Sequence, residues 1–292
     1  MRALILGAGG MLGHKLCRVF RNRFDTWAAI RGNPQAYRRF GLVDEQRLIG
    51  GVEATYMDSV VGAFAAVRPD AVVNCVGIIK QLKEAHDYLP SITINALFPH
   101  RLAQLCRATG TRMIHISTDC VFSGRKGNYS EDDIPDAEDL YGRTKLLGEV
   151  TGPGCLTIRT SMIGQGLRPG PSLIDWFICQ RGKSVKGYAR AIYSGLSTLA
   201  LAEVIAGILE RHSDLTGLWH VSSEPINKYD LLGLVNQAFG LGISIERDES
   251  FECDRSLDSS RFREVMGFTP PHWRDMVARM ARDSTGYDTE FK

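Results

Sequence analysis

An α/β fold is predicted: a doubly wound parallel sheet followed by a smaller C-terminal α/β lobe. Three observations lead to it. Short, almost wholly apolar segments recur through the first 160 residues without polar alternation, which marks strands buried on both faces. Segments with helical spacing of apolar residues stand between them, so strand and helix take turns as in a parallel sheet. A glycine cluster follows the first strand directly, where Rossmann-like folds turn from strand to helix.

The elements follow in order. Residues 2–6 form a short apolar strand, and Leu12, Leu16, Val19 and Phe20 then share one helix face. Residues 26–30 read as a second strand, and 56–58 as the end of a third, which would leave Asp58 at a strand terminus. A fourth strand spans 71–76. Phe98, Leu102, Leu105 and Cys106 mark a helix whose first turn accepts Pro99. Strands at 113–117 and 156–159 complete the alternation. The Gly/Pro-rich run 164–172 then reads as a crossing loop. Beyond it, 199–209 and 229–239 read as helices, 218–221 and 243–245 as strands, and 258–266 and 272–282 as closing helices. The polar tail after Asp283 is expected to fray. The expected division is a nucleotide-binding domain over 1–160, with 196–222 returning to it, and a second lobe over 161–195 and 223–292.

Composition removes several function classes. With 35 Lys plus Arg against 33 Asp plus Glu, the net charge of +2 lacks the basic excess of a nucleic-acid reader. No run approaches the apolar length of a membrane span, and the N-terminal apolar run is too short for a signal peptide. Seven scattered cysteines with no Cys-x-x-Cys pair suit reduced thiols in a cytosol. There is no Gly-x-Ser-x-Gly elbow, and no His/Cys pair has zinc spacing, so no metal is expected. Gly182-Lys183-Ser184 imitates the end of a phosphate loop, but Phe177 stands where its first glycine belongs.

The glycine cluster reads Gly7-Ala8-Gly9-Gly10-Met11-Leu12-Gly13. A dinucleotide site needs a tight turn, close backbone approach to the pyrophosphate and a helix N-terminus aimed at its charge. The spacing Gly7-x-x-Gly10-x-x-Gly13 meets that need, whereas the strict G-x-G-x-x-G pattern fails at Leu12. Gly7, Gly10, Met11 and Leu12 are therefore expected to line a cofactor. The second strand ends in Arg31, where an NAD site would carry an acid. A guanidinium binds a 2′-phosphate that an acid would repel, so NADPH is expected over NADH, with Arg38 and Arg39 adding charge.

A second constellation follows the fifth strand, which runs into Ser117-Thr118-Asp119-Cys120. Tyr141 and Lys145 come next, spaced i and i+4 so that they share a helix face. Ketone reduction builds negative charge on oxygen and needs a positioned acid. The phenol of Tyr141 is protonated at neutral pH, the ammonium of Lys145 stabilises the phenolate left by donation, and the hydroxyl of Thr118 can align the carbonyl.

These residues resemble an extended short-chain dehydrogenase/reductase, and more narrowly its dTDP-4-dehydrorhamnose reductase branch. STDCVFSG over 117–124 is similar to Ser-Thr-Asp-Tyr-Val-Phe-x-Gly, and YGRTKLLGE over 141–149 is similar to Tyr-Gly-x-Thr-Lys-x-x-Gly-Glu. Arg255-Ser256-Leu257-Asp258 resembles the branch's substrate-domain signature, Asn74-Cys75-Val76-Gly77 its stretch beside the cofactor, and Asp58 its adenine-side acid. The resemblance implies catalytic Thr118, Tyr141 and Lys145, with Tyr141 and Lys145 also touching the cofactor beside Cys75, Val76, Gly77 and Asp58. It implies Asp119, Cys120 and Arg255 on a nucleotide sugar held between two lobes. NADPH would reduce a 4-keto group of a nucleotide-activated 6-deoxyhexose.

Three departures fall on the substrate side. Cys120 replaces a tyrosine, Met162 stands where the rhamnose enzymes carry tryptophan, and 77–85 departs from their pattern. The base stays open among thymine, uracil and guanine. An epimerase on the same scaffold would need a further acid or base, for which His86, His100 and Cys120 are candidates. Some relatives of the branch are cofactor-binding regulatory subunits, a role that would not require all of Thr118, Tyr141 and Lys145. Helices at 96–108 and 141–150 pair subunits in many extended relatives, which makes a homodimer the assembly to test.

Overall fold

The computed structural model describes residues 1–283 and Tyr287. The expected fraying of the tail beyond Asp283 falls, Tyr287 apart, outside the described residues. In chain order the elements begin with β1 (Arg2–Leu6), α1 (Gly13–Phe20), β2 (Asp25–Ala29), β3 (Leu48–Ile49), α2 (Met57–Val67) and β4 (Ala71–Asn74). There follow α3 (Tyr88–Ser91), α4 (Phe98–Thr109), β5 (Arg112–Ile116), α5 (Leu140–Leu147) and β6 (Cys155–Arg159). Next come β7 (Met162–Ile163), α6 (Leu173–Ile178), β8 (Ser184–Tyr193), β9 (Leu196–Ser197), α7 (Thr198–Arg211) and β10 (Gly217–His220). The last are β11 (Ile226–Asn227), α8 (Lys228–Phe239), β12 (Ser244–Asp254), α9 (Ser260–Met266) and α10 (Trp273–Ala281).

A seven-stranded sheet has the order β10-β6-β5-β4-β1-β2-β3. The pairs β1–β2, β1–β4, β2–β3, β4–β5 and β5–β6 are all parallel. Its central strands are mostly apolar because both faces are covered, and Leu4, Leu6, Val72, Phe98, Leu102 and Met113 pack together in one core cluster. The strand order reverses at β1 and β4, which places the ends of these two strands at a switch point, where ligands of such sheets bind.

The third strand is a correction. Residues 56–58 do not end a strand. β3 lies earlier, pairing Leu48 and Ile49 with Ala28 and Ala29, and Asp58 sits exposed in the first turn of α2. Ser59 explains the difference. Its Oγ accepts from Glu53 N at 2.9 Å and donates to Tyr56 O at 2.7 Å, which folds 53–59 into a helix entrance. An acid in a first turn also suits the helix dipole.

The chain divides into two compact units. The first comprises Met1–Ser117, Asp139–Ile158 and Leu201–Leu218, and the second Thr118–Glu138, Arg159–Ala200 and Trp219–Lys292. The second unit contains a three-stranded sheet, β11-β8-β12, in which β8 pairs in parallel with β12 and antiparallel with β11. Helix α8 lies on this sheet: a side chain at Gly187 would strike both Ile245 and Tyr229. Among the described residues no helix is long and apolar enough to cross a membrane.

Candidate active site

The first unit turns from β1 into α1 through its glycines. Gly7 takes φ +78°. The amides of Gly7 and Ala8 both donate to Ala29 O, at 3.1 and 3.0 Å, and Gly10 N donates to Gly7 O at 2.9 Å. A Cβ at Gly13 would collide with Gly7 O, and one at Gly7 would press on the Cys75 backbone at 3.2 Å. At Gly9 a Cβ would reach the Tyr37 ring at 2.5 Å. The bend therefore requires glycine at 7 and 13 and brings bare backbone to the start of a helix. That is a cradle fitted to a dinucleotide pyrophosphate.

Beside this loop stand the ends of β4 and β5. Asn74 is fully buried: its Oδ1 accepts from Val76 N at 3.1 Å and its Nδ2 lies 3.1 Å from His115 Nδ1. The amide donates, so His115 accepts at Nδ1, and burial drives the imidazole pKa well down and keeps the ring neutral. Asn95 arrives from a π-helical stretch, Ile92–Leu97, between α3 and α4. Its Oδ1 accepts from Ile78 N at 2.8 Å and its Nδ2 donates to Ile78 O at 3.0 Å. The loop through Cys75, Val76 and Gly77 is thus tied down at both ends.

Helix α5 brings Tyr141 and Lys145 to the same place. Asp139 caps it, accepting from Gly142 N at 2.7 Å, and also binds Lys80 Nζ at 2.6 Å. Lys145 is buried, and its Nζ donates to Ile116 O at 2.7 Å. Burial lowers its pKa to about 8, opposed by the charge of Glu149 and then by Cys75. The Cys75 thiol is itself pushed far up by burial and stays protonated. Tyr141 is half-buried.

In the second unit Thr118 is buried, accepts from Cys120 N at 3.1 Å and donates its own proton to Asp119 Oδ1 at 3.1 Å. Asp119 also takes hydrogen bonds from the side chains of Cys120 and Ser161. Burial raises its pKa, and the charge of Arg255 pulls it back most strongly. Arg255 is fixed by its Nε, which donates to Phe122 O at 2.8 Å. Tyr193 is buried near this carboxylate with no hydrogen-bond partner on its hydroxyl, and burial followed by Asp119 drives its pKa well up.

Within the first unit, then, Gly7, Gly10, Met11 and Leu12 follow β1, Cys75, Val76 and Gly77 follow β4, and Tyr141 and Lys145 lie on α5. Arg31 is exposed just past β2, and Asp58 is exposed in the first turn of α2. Arg38 pairs with Glu45 at 3.0 Å, and Arg39 lies over Phe40 at 4.8 Å. The second unit holds Thr118, Asp119, Cys120 and Arg255 in one polar cluster. His100 is committed elsewhere, its Nε2 lying 2.7 Å from Leu147 O. Sequence reasoning missed Asn95, Glu149, Ser161 and Tyr193. Glu149 closes the motif YGRTKLLGE and was there to be found, whereas nothing local singles out the other three. No cluster of three or more metal-ligating side chains occurs among the described residues.

Comparison with known proteins agrees with this architecture. The spore coat polysaccharide biosynthesis protein SpsK of Bacillus subtilis is 27% identical, covering 94% of this chain and 95% of that protein. A dTDP-4-dehydrorhamnose reductase of Mycolicibacterium smegmatis is 30% identical, covering 99% of this chain and 88% of that one. The methionine adenosyltransferase 2 subunit beta of Danio rerio is 33% identical, but over 51% of this chain and 42% of its own length. Among solved structures, a hypothetical dTDP-4-dehydrorhamnose reductase of Sulfolobus tokodaii has a TM-score of 0.75 at 29% identity, covering 91% of this chain and 94% of that one. The family described as RmlD substrate binding domain matches residues 1–285, and the chain belongs to this family, in the extended short-chain dehydrogenase/reductase group.

Proposed function

We propose that this protein is an NADPH-dependent reductase of the 4-keto group of a nucleotide-activated 6-deoxyhexose. The observation that carries the reading is the α5 pair: Tyr141 one helical turn from Lys145, whose Nζ is pinned 2.7 Å from the end of β5. The shape of the glycine bend and the reductases among the relatives support it.

NADPH, when bound, supplies the hydride; Gly7, Gly10, Met11 and Leu12 would hold its pyrophosphate, and Arg31 its 2′-phosphate. Tyr141 holds the proton that the carbonyl oxygen must receive. Lys145, as an ammonium, makes the tyrosinate left behind less costly. Thr118 orients the carbonyl, and to donate to it must turn its proton away from Asp119. Asp119, Cys120 and Arg255 are assigned to the sugar nucleotide. The first unit is read as the cofactor unit and the second as the substrate unit. The nucleotide sugar is the partner; a homodimer is the assembly to test by light scattering.

Purified protein is mixed with NADPH and a panel of nucleotide-linked 4-keto-6-deoxyhexoses, and absorbance is followed at the nicotinamide band. Oxidation with one member is expected. Tyr141→Phe should lower kcat by about 10²-fold or more while NADPH binding is retained. Unchanged turnover in that variant refutes the acid assignment. A second reading, a cofactor-binding regulatory subunit, is favoured by the methionine adenosyltransferase subunits among the relatives. It gains if NADPH binds and no panel member reacts, whereas an epimerase would interconvert panel members without consuming NADPH.

A further inference from the structure

We propose that Glu149 is a positioning residue, locked to Ser117, that keeps Lys145 charged and seated against the end of β5. The inference rests on the reading of Lys145 as a working ammonium.

The geometry is a closed clamp. Two consecutive residues at the end of β5 grip two residues one helical turn apart. Ile116 O accepts from Lys145 Nζ at 2.7 Å, and Ser117 Oγ donates to Glu149 Oε1 at 2.7 Å. The turn that returns Glu149 to the strand is itself constrained. Gly148 N donates to Thr144 O and Lys145 O at 3.1 Å, and a Cβ at Gly148 would collide with Asn95 O. Nothing larger than glycine fits there, so the path from Lys145 to Glu149 is determined by packing on the π-helical stretch.

The groups facing Lys145 divide cleanly. Just past β4 comes Cys75, a protonated thiol; from β5 comes His115, held neutral by burial; just past the end of α5 comes Glu149. Of these, the charge of Glu149 does most to hold the proton on Lys145. A lysine only 5% exposed loses its proton readily without a nearby anion, and this one already titrates near 8. The Ser117 hydroxyl stops the carboxylate from swinging out to water, where its influence would be screened.

The test reads Lys145 directly. Lysine labelled with ¹³C at Cε is incorporated, and the Lys145 signal is assigned by its loss in Lys145→Arg. Its titration is then followed by NMR in the wild type, Glu149→Gln, Glu149→Asp and Ser117→Ala. The wild-type signal should titrate near 8. In Glu149→Gln the midpoint should fall by about one pH unit or more, and Glu149→Asp should recover part of it. Ser117→Ala should move it the same way by less, which keeps a readout if Glu149→Gln folds poorly. Where the protein reduces a keto-sugar, the alkaline limb of its pH profile should move with the midpoint, a loss of about fivefold at pH 8. An unmoved Lys145 midpoint in Glu149→Gln and Ser117→Ala overturns the proposal. A moved midpoint in a protein that reduces nothing upholds it and sinks the reductase reading instead.

Discussion

Lys145 meets two opposed demands. The proposed reduction needs it charged, and its burial disfavours the charge. A lysine whose folded pKa lies near 8, below its unfolded value of 10.5, costs stability at every pH below about 8. The cost is on the order of 3 kcal/mol and fades between pH 8 and 10.5, as the folded protein and then the unfolded chain lose the proton. Lys145→Met should therefore be inactive yet gain stability relative to wild type at pH 7. Urea unfolding across pH 7–10.5 should show that gain shrinking as pH rises. A gap that stays constant with pH would contradict the linkage. Arg31 carries the other prediction at this scale. Replacing it with alanine should cut the NADPH-over-NADH ratio of kcat/KM by at least about tenfold. An unchanged ratio would make it a solvated surface arginine.

At the scale of the element, placement depends on how α5 and the π-helical stretch are anchored. Asp139→Ala removes the cap of α5 and the Lys80 ion pair, and should cost about 1 kcal/mol in urea unfolding. Asn95→Ala leaves both polar groups of Ile78 without their buried partner and should cost about 1–3 kcal/mol. It should also weaken NADPH binding, because Ile78 anchors the loop after Cys75, Val76 and Gly77. An Asn95→Ala protein of wild-type stability and cofactor affinity would show that the loop holds itself. Among elements, apolar strands and helix faces were legible because burial on both faces leaves a continuous apolar run. The third strand was not. Leu48 and Ile49 pair over two residues only, too short to leave a periodic signal, and Ser59 turns the expected strand end into a helix entrance. β8 and β12 were likewise under-read, because much of each strand is exposed and their sequences are mixed.

For the whole molecule, family membership covers residues 1–285, while the two compact units are each assembled from three separate segments. Local motifs could be read where chemistry demands particular residues at short range. The glycine bend, the helix carrying Tyr141 and Lys145, and the Ser117–Asp119 strand end each depend on neighbours within one turn or one loop. Short spacing survives in the sequence because backbone geometry alone determines which side chains share a face. Asn95, Glu149, Ser161 and Tyr193 take their roles from partners distant in the chain or from burial. Asn95 meets Ile78 across 17 residues and Thr144 across 49. Ser117 meets Glu149 across 32. The sequence by itself determined the parallel sheet, the glycine bend and the placing of Tyr141 and Lys145 one turn apart on one helix. Only the tertiary structure decided which buried groups stay neutral, which carboxylate faces Lys145 and where the proton of Thr118 points. Those outcomes follow from desolvation and from hydrogen bonds closed between distant segments, and neither exists until the chain has folded.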